Sequence, residues 1–517
     1  MKSPFKAMAG WAVLGAMLLG AAGSLLPDLQ RRRELAGLVP VTPFENAPPL
    51  VAFTTVALGG FRGLIADALW VRASRLQNEG KYFELVQLAD WITKLEPRFT
   101  EVWAWQGWNL AYNISVLFPA PEDRWRWVSA GIELLRDRGL RYNPGSSELF
   151  RELGWLFQHK VGGQLDQAHW YYKRQWAENM RQCFDGPRPD YEAWEALPAT
   201  RAALEAEPEV AAALADLRAA GRDPFAAPPP LAEAAAADPL WTTPGAARLR
   251  AFLQRARLRE VYRLEPDIMR ALETDYGPLD WRLYQAHAVY WAYRGRPFAR
   301  EFGRVQIDRM IFQSLAEAFR YGRLFIEPEQ DVFLSLPNLD VLPWVRRAYE
   351  EALTEHPEQD AIRTAYVNFL REALVTTYSY ARNSESRALY DRLRELEPAT
   401  YANRSFEDHV FAALTEELGD LNPRTVLALF EGALYQSYFW LAAGEAEQAA
   451  GFRQMAQLIR REYRRIYDSA EQQERMGLPP LARIERQAFE QARAAFEGAA
   501  ARARLEAAAP PPGGSAP

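Results

Sequence analysis

The sequence has 517 residues, of which 49% are hydrophobic, 25% charged and 13% aromatic, which is the balance of a folded protein. Its 61 basic and 67 acidic residues give a net charge of −6, which excludes the basic footprint of a nucleic-acid-binding protein. The single cysteine, Cys183, excludes an internal disulfide framework, and the five histidines lack metal-ligand spacing. We therefore expect no nucleic acid, no metal and no cofactor.

The first predicted element is an apolar helix. Residues 7–26 form an uncharged stretch of 20 residues after the basic N-terminus at 1–6, long enough to cross the hydrocarbon core of a bilayer. A secretory signal peptide has the same basic start and apolar run, and residues 20–24 (GAAGS) would suit a peptidase. The length of the run favours an uncleaved, single-pass transmembrane anchor. We expect the soluble body on the extracytoplasmic side of that membrane.

A proline-rich tether is predicted to follow the anchor. Residues 27–49 contain five prolines, which disfavour a helix there. The next apolar stretch, residues 47–61, has only 15 residues, which is short for a membrane span. We expect this stretch to lie at the membrane interface or to pack on the helical body.

The rest of the chain has the pattern of an all-α protein. From about residue 61 apolar residues recur every three or four positions, and no run alternates like a half-buried strand. The pattern predicts two helical arrays, at 61–176 and 249–507. The Ala- and Pro-rich segment 177–248 is predicted to be a linker or a helical insertion, and 508–517 a disordered tail.

Recurring spacings divide the helical part into units. The clearest unit has Phe150, Leu153, Gly154 and Phe157 in one helix and Ala168 and Tyr172 in the next. A small residue at Gly154 lets two helices approach closely, while the large apolar residues fill the seam between them. Other units supply the repeat positions Gly80, Pro97, Trp103, Gly107, Ala288, Trp291 and Pro398.

These spacings resemble the tetratricopeptide repeat (TPR), whose frame is W-x2-L-G-x2-Y in the first helix and A-x3-F, then P, in the second. The chain departs from the frame at Gln106 and His287, where leucine is usual, so the repeats are degenerate. The chain also resembles the membrane-tethered TPR proteins of bacteria. The resemblance implies an α-solenoid whose first helices line a concave surface that binds an extended peptide or a partner helix.

Candidate partner-binding residues follow from this frame. Its first-helix positions include Trp70, Trp105, Trp108, Tyr112, Arg151, Trp155 and His159. Exposed aromatic and arginine side chains concentrate binding energy at interfaces, although the same tryptophans could equally fill the core. His287 could act as a general base or lie in the core as a hydrogen-bonded histidine.

The expected function is a membrane-tethered scaffold that assembles proteins at the cell envelope. One alternative is an accessory subunit of a transport or secretion system, in which residues 7–26 and 47–61 both enter the bilayer. Another is a glycan-binding or glycan-active protein whose tryptophans stack on sugars. Because no nucleotide-binding or catalytic motif occurs, we do not expect an enzyme.

Overall fold

The structure is a computed structural model, and it describes most of the chain after residue 60. The described ranges are 61–327, 332–401, 405–415, 423–466, 479–496 and 498–510, preceded by Met17, Ser24, Asp28, Arg31 and Arg32. The predicted anchor and tether therefore fall almost entirely outside the described residues. Within the described part of the chain, no helix is both long enough and apolar enough to cross a bilayer.

The described chain is mainly α-helical, which confirms the all-α prediction. The first helices are α1 (Phe61–Asn78), α2 (Tyr82–Leu95), α3 (Thr100–Trp108), α4 (Pro121–Glu133), α5 (Leu140–Tyr142), α6 (Ser147–Trp155) and α7 (His169–Arg181). The next are α8 (Tyr191–Glu195), α9 (Arg201–Glu205), α10 (Pro208–Ala219), α11 (Ala232–Ala237), α12 (Pro244–Glu260), α13 (Pro266–Tyr276), α14 (Tyr284–Gly295) and α15 (Glu301–Tyr321).

A two-stranded hairpin separates these helices from the C-terminal ones. The strands are β1 (Arg323–Glu327) and β2 (Val332–Leu336). The helices after them are α16 (Leu342–Glu355), α17 (Asp360–Ser379), α18 (Asn383–Leu396), α19 (Pro398–Tyr401), α20 (Phe406–Thr415), α21 (Pro423–Ala443), α22 (Ala446–Ile466), α23 (Leu481–Ala495) and α24 (Ala499–Ala507). Sequential pairs such as α1 with α2, α14 with α15, α17 with α18 and α21 with α22 pack against each other.

Local sequence explains several helix starts. The side chain of Ser146 accepts a hydrogen bond from the Leu149 amide at the start of α6, and Thr243 accepts one from the Ala246 amide at the start of α12. Each side chain satisfies a first-turn N–H group that has no partner within the helix. Proline stands at the beginning of α4, α10 and α13, where its missing N–H costs nothing.

Three helices of the first array continue into π-helical turns. These turns are Asn109–Ile114 after α3, Leu134–Gly139 between α4 and α5, and Leu156–Val161 after α6. A π turn adds a residue per turn and so rotates the side chains that follow it, and such turns often occur at functional sites. Here the first turn carries Tyr112 and the last carries His159.

The β-hairpin was not predicted from the sequence. Its strands are antiparallel, with Arg323 opposite Leu336 and Phe325 opposite Leu334. Leu324 packs with residues of α7 and of the segment before α14, whereas Leu336 packs with Trp440 of α21. The hairpin therefore connects the central helices with the C-terminal ones.

Most buried residues belong to one continuous core. It extends from Trp103 to Phe411, with Leu458 of α22 in addition, and includes the repeat positions Phe150, Leu153, Phe157, Ala168, Tyr172, Ala288 and Trp291. A second cluster, which we call the C-terminal cluster, runs from Val426 to Leu505 in α21–α24. The segment 177–248 forms α8–α11, and Val210, Leu214 and Leu217 of α10 join the main core, so this segment is part of the packed body.

Glycines allow the closest helix approaches. A Cβ atom added to Gly154 would lie 2.6 Å from Met310 Sδ and 3.2 Å from the Ala288 carbonyl oxygen, so α6 packs almost directly on α14. At Gly131, an added Cβ would lie 2.8 Å from the carbonyl oxygen of Gly107. Helix pairs with glycine at the crossing pack backbone against backbone.

Candidate functional site: a groove between the two arrays

An open groove of about 710 Å³ lies between the two predicted arrays of the described chain. One wall is formed by the end of α6, its π turn, the Gly162–Gln164 loop and the start of α7. The opposite wall is formed by α15, α17 and part of β2, with Tyr284 of α14 also in the lining. The groove thus joins helices from both predicted arrays.

Four aromatic rings form a row that leads to the first wall. We call these residues, Trp108, Tyr112, His159 and Trp155, the aromatic row. Trp155 stacks on His159 with ring centroids 4.6 Å apart and planes 10° apart. His159 Nδ1 lies 2.9 Å from the Tyr112 hydroxyl, and Tyr112 stacks on Trp108 at 5.5 Å. Burial, and then the charge of Lys160, lower the pKa of His159, so its imidazole is neutral at pH 7.

Asp166, which does not line the groove, holds the π turn after α6 in place. This buried carboxylate binds Lys160 Nζ at 2.6 Å and Arg124 at 3.0 Å, and accepts hydrogen bonds from the Tyr172 hydroxyl and the Ala168 amide. Burial alone would raise the pKa of Asp166, but these hydrogen bonds and the charge of Lys160 outweigh it and give a pKa of about 2. The wall therefore rests on a closed set of buried polar contacts.

The opposite wall carries an arginine between two carboxylates. Arg320 binds both oxygens of Glu372 at 2.6 Å and one oxygen of Glu317 at 2.8 Å. Burial lowers the pKa of Arg320, but Glu372 and then Glu317 outweigh this and raise it overall. The Tyr284 hydroxyl lies 3.4 Å from the second oxygen of Glu317. These groups give the wall fixed charges and fixed hydrogen-bonding directions.

An exposed tryptophan lies at the edge of the groove. Trp170, at the start of α7, is 60% exposed, which is high for so large an apolar side chain. Its ring lies 4.8 Å from that of His169 and 5.1 Å from the ammonium group of Lys173. Trp170 therefore presents a flat apolar face that another molecule could cover.

The predicted partner-binding residues fall into three groups: those that line the groove, those connected to it through the aromatic row, and those that lie away from it. Trp155 and His159 line the groove, and Trp108 and Tyr112 are connected to them through the aromatic row.

The other three predicted residues lie away from the groove. Trp70 and Trp105 pack edge to face at 5.0 Å in a small cluster of the first helices, and the Trp105 indole donates to Gln77. Arg151 forms an ion pair with Glu152. The TPR resemblance implies a concave surface lined by first helices. The groove differs from this expectation, because it is not lined by first helices alone.

His287 lies in the core of the molecule. It is fully buried, and its Nε2 atom is 2.8 Å from the Trp281 carbonyl oxygen. Burial lowers its pKa to about 3. Since it does not line the groove, this histidine has no access to a ligand there.

Asp308, Glu355 and His356 form the one group of metal-ligand types among the described residues. His356 Nε2 is 2.9 Å from Asp308, but Arg296 and Arg304 also bind Asp308, at 2.7 and 3.0 Å. Both arginines reach Glu355 as well. Two guanidinium groups already occupy the carboxylates, so the cluster acts as an ion-pair network between α15 and α16.

Several groove residues were not identified from the sequence. They are Trp170, Lys173, Tyr284, Glu317, Arg320 and Glu372. Trp170, Lys173, Glu317 and Arg320 lie on second helices and Tyr284 lies at a helix start, whereas the repeat frame assigns partner contacts to first helices. Glu372 lies within α17, outside the three repeats from which candidates were taken. The sequence HWYYK at residues 169–173 was the available signal, because it combines three ring types with a lysine in about one helical turn.

Together, the fold and the groove define an all-α protein built of packed helix pairs. No model of a known protein family matches the chain, and no curated protein matches it in sequence.

Proposed function

We propose that this protein is a helical-repeat scaffold that binds an extended segment of a partner protein in the groove. The observation that carries the proposal is the composition of the groove, in which aromatic faces alternate with fixed polar groups. Binding grooves for peptides combine apolar anchors with a few oriented hydrogen-bonding groups. Trp155 and Trp170 supply the anchors, and Gln158 and Asn368 supply amide groups that suit a peptide backbone.

The charged residues of the groove support binding and not acid–base catalysis. General-acid work in a carboxylate pair needs a carboxyl group that is free to meet the substrate. Glu317 and Glu372 instead both bind the guanidinium group of Arg320. These carboxylates are therefore suited to orienting a ligand.

The proposal includes a membrane tether at residues 7–26. Its support is the uncharged 20-residue sequence described above. A tether of this kind would hold the groove near the membrane surface and raise its effective concentration towards envelope partners. We place the helical body on the extracytoplasmic side as part of the same proposal.

A glycan strand is the second candidate for the ligand. The observation that favours it is the exposed, flat face of Trp170 beside several amide side chains, since sugars stack on tryptophan and hydrogen-bond to amides. The groove would then bind glycans without cleaving them.

Site-specific photo-crosslinking tests the proposal. Trp170 is replaced by p-benzoylphenylalanine in the full-length protein in its native cells, and the crosslinked product is identified by mass spectrometry. The matched control is Trp91, which is 46% exposed on α2, away from the groove. We expect one defined partner peptide from position 170 and none from position 91.

A binding measurement then distinguishes specific binding at this site from nonspecific binding to an apolar surface. A synthetic peptide of the crosslinked sequence should bind the wild type, and Trp170→Ala should weaken it at least tenfold, about 1–2 kcal/mol. Trp91→Ala should leave the affinity unchanged. A glycan adduct at position 170 would favour the second candidate, and equal crosslinking at both positions would contradict the proposal.

A further inference from the structure

Lys173 differs from the other lysines of the described chain in having no acidic partner. Lys81, Lys94 and Lys160 bind carboxylates at 2.9, 2.6 and 2.6 Å. Within the described residues Lys173 forms no ion pair, and its Nζ atom has one hydrogen-bonding partner, His169 Nδ1, at 3.1 Å. Its positive charge is therefore not neutralised by a neighbouring side chain.

The ammonium group of Lys173 is enclosed by aromatic rings on the groove side. Its Nζ atom lies 5.1 Å from the centre of the Trp170 ring and 5.7 Å from that of Tyr284. Rings at these distances stabilise a cation but accept no strong hydrogen bond. Because one N–H donates to His169, two N–H donors are left for a molecule in the groove.

Glu317, the acidic residue of the opposite wall whose charge acts on Lys173, is already engaged. Its carboxylate binds Arg320 at 2.8 Å and lies 3.4 Å from the Tyr284 hydroxyl. His169 supplies no negative charge, and burial followed by the charge of Lys173 lowers its pKa. The groove thus has a positive pole at Lys173 and a carboxylate-rich pole at Arg320.

We propose that Lys173, Trp170 and Tyr284 form a subsite for a carboxylate group, so that the partner segment carries an aspartate or glutamate next to an apolar residue. This inference rests on the proposed function of the groove and specifies the chemistry of its ligand. The carboxylate accepts the two available N–H donors in a charge-assisted pair, and the neighbouring apolar group covers the face of Trp170.

The lowered pKa of Lys173 agrees with this geometry. Burial lowers its pKa to about 8, against a weaker opposing effect of Glu317. A partly desolvated ammonium group without a counter-ion is costly, and a bound carboxylate would reduce that cost. The free protein therefore already holds the charge that the ligand neutralises.

Two capped dipeptides test the subsite directly. The full-length protein in detergent is treated at pH 7 with a low dose of an amine-acylating reagent, with acetyl-Trp-Glu-amide or acetyl-Trp-Gln-amide present. Mass spectrometry measures the acylation rate of each lysine, with exposed Lys81 as the internal reference. We expect the glutamate peptide to slow acylation of Lys173 at least threefold, the glutamine peptide to slow it little, and Lys81 to be unaffected.

Two substitutions of Lys173 test the subsite by comparing two peptides on the same folded variant. In Lys173→Met, saturation-transfer NMR should show the preference for the glutamate peptide lost, whereas Lys173→Arg should keep it. Equal protection by both peptides would overturn the carboxylate subsite but leave peptide binding in place. Protection by neither peptide would also overturn the subsite, while the crosslinking experiment at Trp170 judges the proposed function separately.

Discussion

At the scale of single residues, Asp166 matters most for the shape of the groove. It is the counter-ion of Lys160, which is only 4% exposed, and it also binds Arg124 and Tyr172. Lys160 lies on the π turn that carries His159. The position of the aromatic row therefore depends on a carboxylate that does not itself line the groove.

Asp166→Asn is expected to lower the free energy of unfolding by about 3 kcal/mol, because it leaves the buried Lys160 ammonium without a counter-ion. Urea unfolding followed by circular dichroism measures this. The control is Asp123→Asn, whose ion pair with Arg126 has side chains 42% and 79% exposed. The control should change stability by less than about 0.5 kcal/mol. Equal effects of the two substitutions would show that burial of the Lys160 pair is unimportant.

The pH dependence of the same variant has a defined sign. The folded pKa of Asp166 is about 2 and its ordinary value is 3.8, so its contribution is fully present above about pH 4 and lost as the pH falls towards 2. The stability difference between wild type and Asp166→Asn should therefore be constant near neutrality and shrink in acid. Urea midpoints of both proteins between about pH 7 and pH 3 measure this. A difference that grows in acid would contradict the assignment.

Part of the groove was predictable at this scale. Trp155 and His159 follow from the repeat frame because first-helix positions face outward from the seam at a fixed spacing. Lys173 and Arg320 could not be found that way, because their role depends on how the second array packs across the groove. Such packing is a long-range property that sequence spacing does not encode.

At the scale of elements, the helices were predictable and the hairpin was not. Periodicity of three and four identifies the helices. The sequence Leu-Glu-Pro occurs at the ends of α2 and α18, whereas its copy at residues 264–266 leads into α13 and ends no helix. The strands of the hairpin, RLFIE and VFLSL, each contain three consecutive apolar residues and so lack the alternation that identifies a half-buried strand. The hairpin nevertheless helps to shape the groove, since β2 lies at its edge.

The crossing of α6 with α14 is expected to be sensitive to the size of residue 154. Gly154→Val places a branched side chain against Met310 and the Ala288 carbonyl, and should destabilise the protein by about 1–3 kcal/mol. The matched control is Gly432→Val on α21, where an added Cβ meets nothing within 4 Å. This control should stay within about 0.5 kcal/mol of the wild type. Thermal and urea unfolding of both variants decide, and an equal loss at both positions would mean that the close helix approach at residue 154 does not determine the effect.

At the scale of the whole molecule, the buried residues separate into the main core and the C-terminal cluster. The two meet mainly at α22, where Leu458 joins the main core while Ile459 and Tyr463 belong to the C-terminal cluster. Further links are the ion pair of Arg323 with Glu445 and the paired amides of Asn383 and Gln454. Because each cluster has its own set of buried residues, we expect the two to behave as separate cooperative units.

We expect the C-terminal cluster to unfold without the groove. Phe489 is buried in that cluster and packs edge to face on Tyr438 at 5.5 Å, so Phe489→Ala should remove about 3–5 kcal/mol from its local stability. Hydrogen exchange should then speed up in α21–α24, while α6, α7 and α15 keep wild-type protection. Phe319→Ala, at an equally apolar site in the main core, should instead speed exchange across the helices of the groove. If Phe489→Ala accelerated exchange uniformly over the chain, the two clusters would form a single cooperative unit, and damage to α21–α24 would reach the groove through loss of the entire fold.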